Sequence, residues 1–458
     1  MGVKDIRNNI LNQTDSYNTS HQFFKVNTDW EVSHMYNRKA GMILYGMHET
    51  AVNLLTTKIT HEMINEVVTQ AFDQNLPFPE LLFRRVVDEL NGNIPILFEM
   101  LPEGTWCPAG TPFAQISNTV EGFGELVTWW EGVLMMAFFP SSCATEAFNI
   151  AKYLKEKGLP NTRFHSFGFR GHKSLEDAYW AGTAWALFFE GLDDFHIKSH
   201  LPNAKLGSIP ALAHKVTQQF DDEYDCFIRA IDETAALGLP TVSLVIDTYD
   251  ANRFVQKYLL DLANHALSKS VHIVARPDSG PVVQQTIDIF NIVKKNDLTN
   301  VSVIIGEGID FETAKSYDRR LSAQGVPLSF VTYGIGAGFY KHLERDTLGW
   351  AMKTAYSNGK PRMKFSMVSL KRSIPGAVGI VREQGELIVK TFNEVKWEDN
   401  LYFPIYRCDG DMPKFAVPPD WDLTRRRVEE AYEHCEQKEI RLSESIHELI
   451  REFQKQYL

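Results

Sequence analysis

The chain reads as an α/β protein in which an α/β-barrel-like domain occupies the middle of the sequence and a second α+β domain is built from both chain ends. Three observations predict this. Four apolar runs, "TVSLVIDTYD" (241–250), "VHIVARPDSG" (271–280), "VSVIIGEGID" (301–310) and "SFVTYGIGAG" (329–338), each end in polar or glycine residues. Helical patterns lie between them, so Asp247, Asp278, Glu307 and Gly336 follow at intervals of 31, 29 and 29 residues. That interval is one strand plus one crossover helix. Strands apolar on both faces belong in a parallel sheet, and successive right-handed crossovers close such a sheet into a barrel or part of one.

The elements follow in order. "KITHEMINEVVTQAF" (58–72) has helical spacing of its apolar positions. "IPILFEMLPEGTWCPAGTPFAQISNT" (94–119) alternates apolar runs with turns at Pro102-Glu103-Gly104 and Pro108-Ala109-Gly110, a small β unit. "RFVQKYLLDLANHAL" (253–267) and "VVQQTIDIFNIVKK" (282–295) are crossover helices, and Asp250 reads as a cap on the first. "GAVGIVREQGELIVKTF" (376–392) is a β-hairpin turning at Gln384-Gly385, and the chain closes as charged amphipathic helix. The expected division is 1–155 plus 360–458 for the α+β domain and 156–359 for the barrel-like domain.

Composition narrows the function. With 44% hydrophobic and 23% charged residues the chain has material for a large core, and its net charge of −11 disfavours a nucleic-acid or anionic-membrane surface. An anionic ligand therefore needs a local basic pocket that overrides the global sign. The five cysteines are scattered and odd in number, which predicts reduced thiols and a cytoplasmic location. The start, "MGVKDIRNNILNQTDSY", has no apolar signal core, and "GVLMMAFF" (132–139), ended by Pro140, is too short to span a bilayer.

In a parallel barrel every strand's carboxyl end faces one mouth, so Asp247, Asp278, Glu307 and the glycines of "GIGAG" are expected to converge there. Carboxylates gathered in one mouth require a cation or sugar hydroxyls beside them. Gly334, Gly336 and Gly338 leave backbone amides open to close approach. A helix expected to start at Phe339 would add a positive dipole end for an anion, with Arg345 two turns into it. The combination describes a phosphorylated sugar. Singly, each residue has a plainer reading: a strand-ending Asp is often a helix cap, and glycines at strand ends are common turns.

A second cluster lies upstream. "HSFGFRGHKS" (165–174) supplies Phe167, Phe169 and Arg170, "FEGLDDF" (189–195) supplies Asp193 and Asp194, and "SIPALAHKV" (208–216) ends an apolar run at His214. An aromatic face, a guanidinium and a carboxylate suit a flat heteroaromatic amide: the ring stacks, Arg holds the carbonyl oxygen and Asp accepts from the NH₂. Asp194 competes with Asp193 for that role, and Phe167 and His214 taken alone read as core residues.

These segments, with "TDSY" (14–17), "FGFRG" (167–171), "IPALAH" (209–214), "IDTYD" (246–250), "ARPDSG" (275–280), "IGEGID" (305–310) and "GIGAGFYKHLERD" (334–346), resemble in matching order the type II phosphoribosyltransferases that act on nicotinamide and nicotinate. The resemblance runs from about residue 10 to 355. It implies transfer of phosphoribosyl from phosphoribosyl pyrophosphate to nicotinamide, giving nicotinamide mononucleotide and pyrophosphate, in a homodimer with shared active sites. It implies that Phe167 and Tyr17, the latter from the partner subunit, sandwich the pyridine ring, with Arg170 at the carboxamide oxygen and Asp193 at its nitrogen. Asp247, Arg276 and Asp278 would hold ribose and pyrophosphate, with Mg²⁺ bound through the pyrophosphate near Asp247 and Asp278 and no direct protein cage. Gly306 and Glu307 would sit at the ribose, and Gly336, Ala337, Gly338 and Arg345 at the 5′-phosphate. His214 would be phosphorylated when ATP hydrolysis is coupled to synthesis. Glu307 stands where the family has Asp, and Ala337 replaces a glycine of the phosphate loop. Two other readings stand beside this one: a nicotinate phosphoribosyltransferase, and a non-catalytic phosphosugar-binding homologue.

Overall fold

The computed structural model describes residues 8–24, 27–306, 308–365 and 372–457. It divides into two compact units, Met1–Glu146 with Leu343–Leu458, and Ala147–His342.

The unit Ala147–His342 is built on five parallel strands in the spatial order Phe164–Ser166, Val331–Ile335, Val301–Ile305, His272–Arg276, Thr241–Val245. Most of their apolar residues are buried, as strands covered on both faces require. Two irregular segments close the ring. Leu192 pairs with Ser166, Gly191 with Gly207, and Ala211 with Ser243, each as a single parallel bridge. The chain therefore returns from the first strand through 191–192 and 207–211 to Thr241–Val245, completing a barrel of seven staves. Gly191 and Gly207 add no side-chain packing and Pro210 has no N–H to give, so these staves pair at points rather than along ladders.

Crossover helices start where the sequence provides caps. The side chains of Asp222 and Asp310 accept from the backbone N–H of Tyr224 and Thr313, opening Glu223–Ala236 and Phe311–Ala323. Asp250 caps the next helix by accepting from Asn252 N at 2.9 Å, and that helix passes through a π-helical turn at Phe254–Tyr258 before continuing as Leu259–Ser268. Val282–Lys295 matches its predicted bounds. A buried ion pair ties the ring to its helices: Arg163 bonds Asp318 through both terminal nitrogens at 3.0 and 2.8 Å, and Tyr153 and Tyr333 donate to the same carboxylate at 2.9 and 2.8 Å. With four donors on two oxygens, neither charge is left uncompensated.

The other unit interleaves both chain ends in one antiparallel sheet, ordered Lys360–Pro361, Trp350–Ser357, Glu31–Asn37, Thr111–Asn118, Ile96–Met100, Phe403–Arg407, Lys414–Phe415. The expected β unit at 94–119 supplies two of these strands. Large side chains including Trp130, Trp350, Phe83 and Phe113 fill the core against it. The hairpin Val378–Glu383/Glu386–Thr391 turns at Gln384 and Gly385, both with positive φ, as the predicted two-residue turn demands.

One expectation is corrected here. The closing segment is two helices, Trp421–His434 and Glu444–Tyr457, because Arg441–Leu442 between them pairs as a strand with Ile388 and Val389. Pro140, which ends the apolar run, lies in the first turn of helix Phe138–Lys157, where no backbone N–H is needed. Among the described residues no single helix is long and apolar enough to cross a membrane.

Candidate active site

Because the ring is parallel, the tips following its strands gather at one mouth. His214, which opens the short helix His214–Thr217 just past the stave beside Thr241–Val245, points its Nε2 at two of them: it lies 3.6 Å from Asp278 Oδ2 and 4.0 Å from Asp247 Oδ1. Its Nδ1 sits 3.1 Å from Thr248 Oγ1, which fixes the ring. Asp247 is nearly buried. Its Oδ2 accepts from the Ser279 hydroxyl, whereas its Oδ1 is buried without a hydrogen-bond partner. Arg276, the last residue of its strand, donates from Nη2 to Leu212 O at 2.5 Å and keeps a buried, unpartnered Nε. Thr248 and Ser279 support this cluster; Ser279 stood out as the hydroxyl of "ARPDSG", and Thr248 was not singled out from the sequence. The only signal of Thr248 was adjacency to Asp247.

Phe167 supplies the aromatic surface. Its N–H donates to Ile335 O at 2.9 Å, which carries the strand hydrogen bonding one residue beyond Ser166. The ring lies directly on two glycines of neighbouring staves. A Cβ on Gly334 would fall 1.7 Å from Phe167 Cζ, and a Cβ on Gly306 would fall 3.2 Å from Cζ and 2.9 Å from Asp278 Oδ1. The Phe167 ring edge and the Asp278 carboxylate therefore meet at one point on the rim. Gly306 borders both; Glu307 lies outside the described residues.

Asp193 stands beside the aromatic. Its Oδ1 takes a 2.7 Å hydrogen bond from His165 Nε2 and another from the Ser208 hydroxyl. Burial pushes the Asp193 carboxyl up, but these two bonds, with the charges of His165 and Arg276, outweigh it and hold the group below the usual carboxylate range. Asp194, the competing acid, is turned away: it is 3% exposed, and burial, with the Asp193 charge adding and the Phe169 backbone N–H opposing, raises it to about 6. Arg170 is exposed on the short 3-10 turn Phe169–Gly171.

The glycine loop departs from expectation. No long helix starts at Phe339. A single 3-10 turn, Ala337–Tyr340, follows Gly336, and Arg345 instead begins a separate short helix, Arg345–Leu348. Glu344 and Thr347 form a capping box there, which favours a new start over continuation from the glycine-rich turn. A Cβ on either Gly336 or Gly338 would meet nothing within 4 Å. Packing within the protein does not require glycine at these positions.

Tyr17 and Arg345 belong to the unit that carries both chain ends, where they are electrostatic neighbours. Burial, Asp15 and Glu131 raise the Tyr17 hydroxyl, and the Arg345 charge opposes them. Arg38 and Lys353 complete a basic cluster. Burial lowers both, and the Arg345 charge pushes each further down. Lys39 donates to Asp346 O at 2.7 Å beside it. This is a local positive patch in an acidic chain. Arg38, just past strand Glu31–Asn37, and Lys353, on strand Trp350–Ser357, were missed because lone basic residues carry no motif.

Residues 162–364 match the model of the nicotinate phosphoribosyltransferase (NAPRTase) family. The chain is similar to a nicotinamide phosphoribosyltransferase of Xanthomonas campestris pv. campestris, 25% identical over 378 residues, covering 75% of this chain and 80% of the relative. A second relative of that name, from Acinetobacter baylyi, is 26% identical over 347 residues, covering 64% and 68%. In fold the chain resembles nicotinate-nucleotide pyrophosphorylase from Pyrococcus furiosus (TM-score 0.64, 17% identity, 95% of this chain and 99% of that one). It also resembles human nicotinic acid phosphoribosyltransferase (TM-score 0.63, 16% identity, 96% and 99%).

Proposed function

We propose that this protein is a phosphoribosyltransferase of the nicotinate phosphoribosyltransferase type and that it transfers phosphoribosyl from phosphoribosyl pyrophosphate to nicotinamide, releasing pyrophosphate and forming nicotinamide mononucleotide. One observation carries the reading. The Phe167 ring edge and the Asp278 carboxylate both crowd the same vacant Cβ position of Gly306, so a base stacked on Phe167 has its ring nitrogen beside the group that faces the sugar.

The nicotinamide nitrogen already bears a lone pair, so no strong base is needed. Attack at C1′ and departure of pyrophosphate pass through oxocarbenium character. Carboxylates of Asp247 and Asp278 tolerate that positive charge, while Arg276 and the amides of Gly336, Ala337 and Gly338 hold the anionic groups. The buried, unpartnered Asp247 Oδ1 and its neighbour Asp278 fit the waters of a Mg²⁺–pyrophosphate complex; when bound, that ion neutralises the leaving group. Among the described residues no cluster of three or more His, Cys, Asp or Glu makes a protein cage for a metal.

His214 suits phosphorylation by ATP. In the tautomer that donates Nδ1–H to Thr248 Oγ1, the Nε2 lone pair is the nucleophile. It would form the N–P bond as ADP leaves, and water would later release phosphate. Tyr17 would supply a second ring face from the partner subunit of a homodimer, and Arg345, with Arg38 and Lys353 beside it, would supply cations for the 5′-phosphate.

Asp193 favours the amide. Held ionised, it accepts from the carboxamide NH₂ and repels the carboxylate of nicotinate. The test is to incubate the protein with Mg²⁺ and phosphoribosyl pyrophosphate and each base, with and without ATP, and identify the mononucleotide. Formation of nicotinamide mononucleotide in preference is expected. Preferential use of nicotinate would establish the rival, and no pyrophosphate release with either base would end the transferase reading.

A further inference from the structure

We infer that His165 and Ser208 are the positioning residues that fix base choice: together they hold one oxygen of Asp193, which leaves the other aimed at the substrate's amide. This rests on the transferase reading above. Three features of the ring converge on it. Both donors meet the same atom, Asp193 Oδ1, from two different staves, and the Asp193 N–H is anchored to Ser166 O at 2.8 Å. A carboxylate so held cannot rotate without giving up two bonds, so Oδ2 has a fixed direction. Second, the fold reserves the imidazole's place: a Cβ on Gly191 would lie 2.6 Å from His165 Nδ1. Third, the His165 and Phe167 ring centroids are 6.2 Å apart. The held acid thus stands at the edge of the stacking surface, where a ring substituent arrives. Asp193 remains 39% exposed and His165 16% exposed on their side chains, so the pair opens to a ligand.

The chemistry is selective in one direction. His165 donates from Nε2 and Ser208 from Oγ, so Oδ1 is saturated by donors and Oδ2 is left as acceptor only. A carboxamide supplies N–H to it, and a carboxylate has no donor to offer. Losing either donor frees the Asp193 side chain to turn, and the amide loses its partner more than the sugar loses anything.

The test is the ratio of kcat/KM for nicotinamide to that for nicotinate in His165→Phe, Ser208→Ala, His165→Gln and Asp193→Ser. His165→Phe and Ser208→Ala are expected to lower the ratio at least about tenfold through the KM for nicotinamide, as loss of a charged hydrogen bond predicts. The KM for phosphoribosyl pyrophosphate should not move. His165→Gln, whose amide reaches the Nε2 position, should restore most of the ratio. Adding His165→Phe to Asp193→Ser should change it no further, because the two act through one contact. A ratio within about twofold of wild type in both donor variants, or a full additive effect in the double variant, overturns the inference. Should His165→Phe not fold, Ser208→Ala and His165→Gln decide it. Absence of product with either base in the unaltered protein is a separate outcome that removes the transferase reading and the inference with it.

Discussion

The Phe167 ring occupies the space that a side chain on Gly334 would need, with only 1.7 Å between Phe167 Cζ and the position of a Gly334 Cβ. Gly334→Ala must displace the ring. An overpacked site of this kind costs about 1–3 kcal/mol. The KM for nicotinamide should rise at least about tenfold, since a stacked base depends on the ring's place. Steady-state kinetics with thermal denaturation checks this: an unchanged KM would show that Phe167 is not the stacking surface.

Gly336 and Gly338 make the opposite case. Nothing lies within 4 Å of a Cβ on either. Alanine at these positions should leave stability within about 0.5 kcal/mol of the wild type, while the KM for phosphoribosyl pyrophosphate rises because the new methyl fills the phosphate's space. Tm and KM measured together test it; a rise in neither removes the loop from the phosphate site.

His214→Gln should abolish any gain in mononucleotide yield from ATP, together with the acid-labile phosphoryl label that γ-labelled ATP leaves on the protein. Persistence of that label in the variant would place the phosphoryl group elsewhere.

Asp194 gives a pH prediction. Burial raises its pKa to about 6, above its unfolded value of about 4, so the folded state binds the proton more tightly. Its contribution is most favourable at low pH, declines as pH rises through about 4 to 6, and is then lost by up to about 3 kcal/mol. Asp194→Asn should therefore raise stability at about pH 7.5 and change it little at about pH 4. Equal effects at both pH values in denaturant melts would refute the linkage.

Asp318→Ala should destabilise the barrel unit by about 3–5 kcal/mol, because it strands the buried Arg163 guanidinium. Replacing Arg163 and Asp318 together by apolar residues of similar size should recover part of that loss, as chemical denaturation would show.

Much of this architecture is legible in the residues. The regular spacing of Asp247, Asp278 and Gly336 marks the laddered strands, because period and length survive in sequence. The staves 191–192 and 207–211 left a weaker mark: each meets each of its two neighbours at a single bridge, so the apolar run at 208–216 does not carry the pattern of a full ladder strand. His165 and Ser208 were hidden for the same reason, since what recruits them is the closure of the ring. The helix expected at Phe339 failed because a capping box at Glu344 and Thr347 competes with it locally, a signal set by side-chain hydrogen bonds rather than by hydrophobic period.

That uneven closure has a consequence for how selectivity can shift. The groups proposed to grip the sugar phosphate stand at the ends of fully hydrogen-bonded strands, whereas Asp193 and Ser208 ride on pieces of chain fastened one bridge at a time. Replacing a side chain there changes what meets the ring substituent without cutting a strand ladder on which the sugar-phosphate groups depend. A protein made this way can be retuned toward a different ring substituent while its machinery for the activated pentose stays intact.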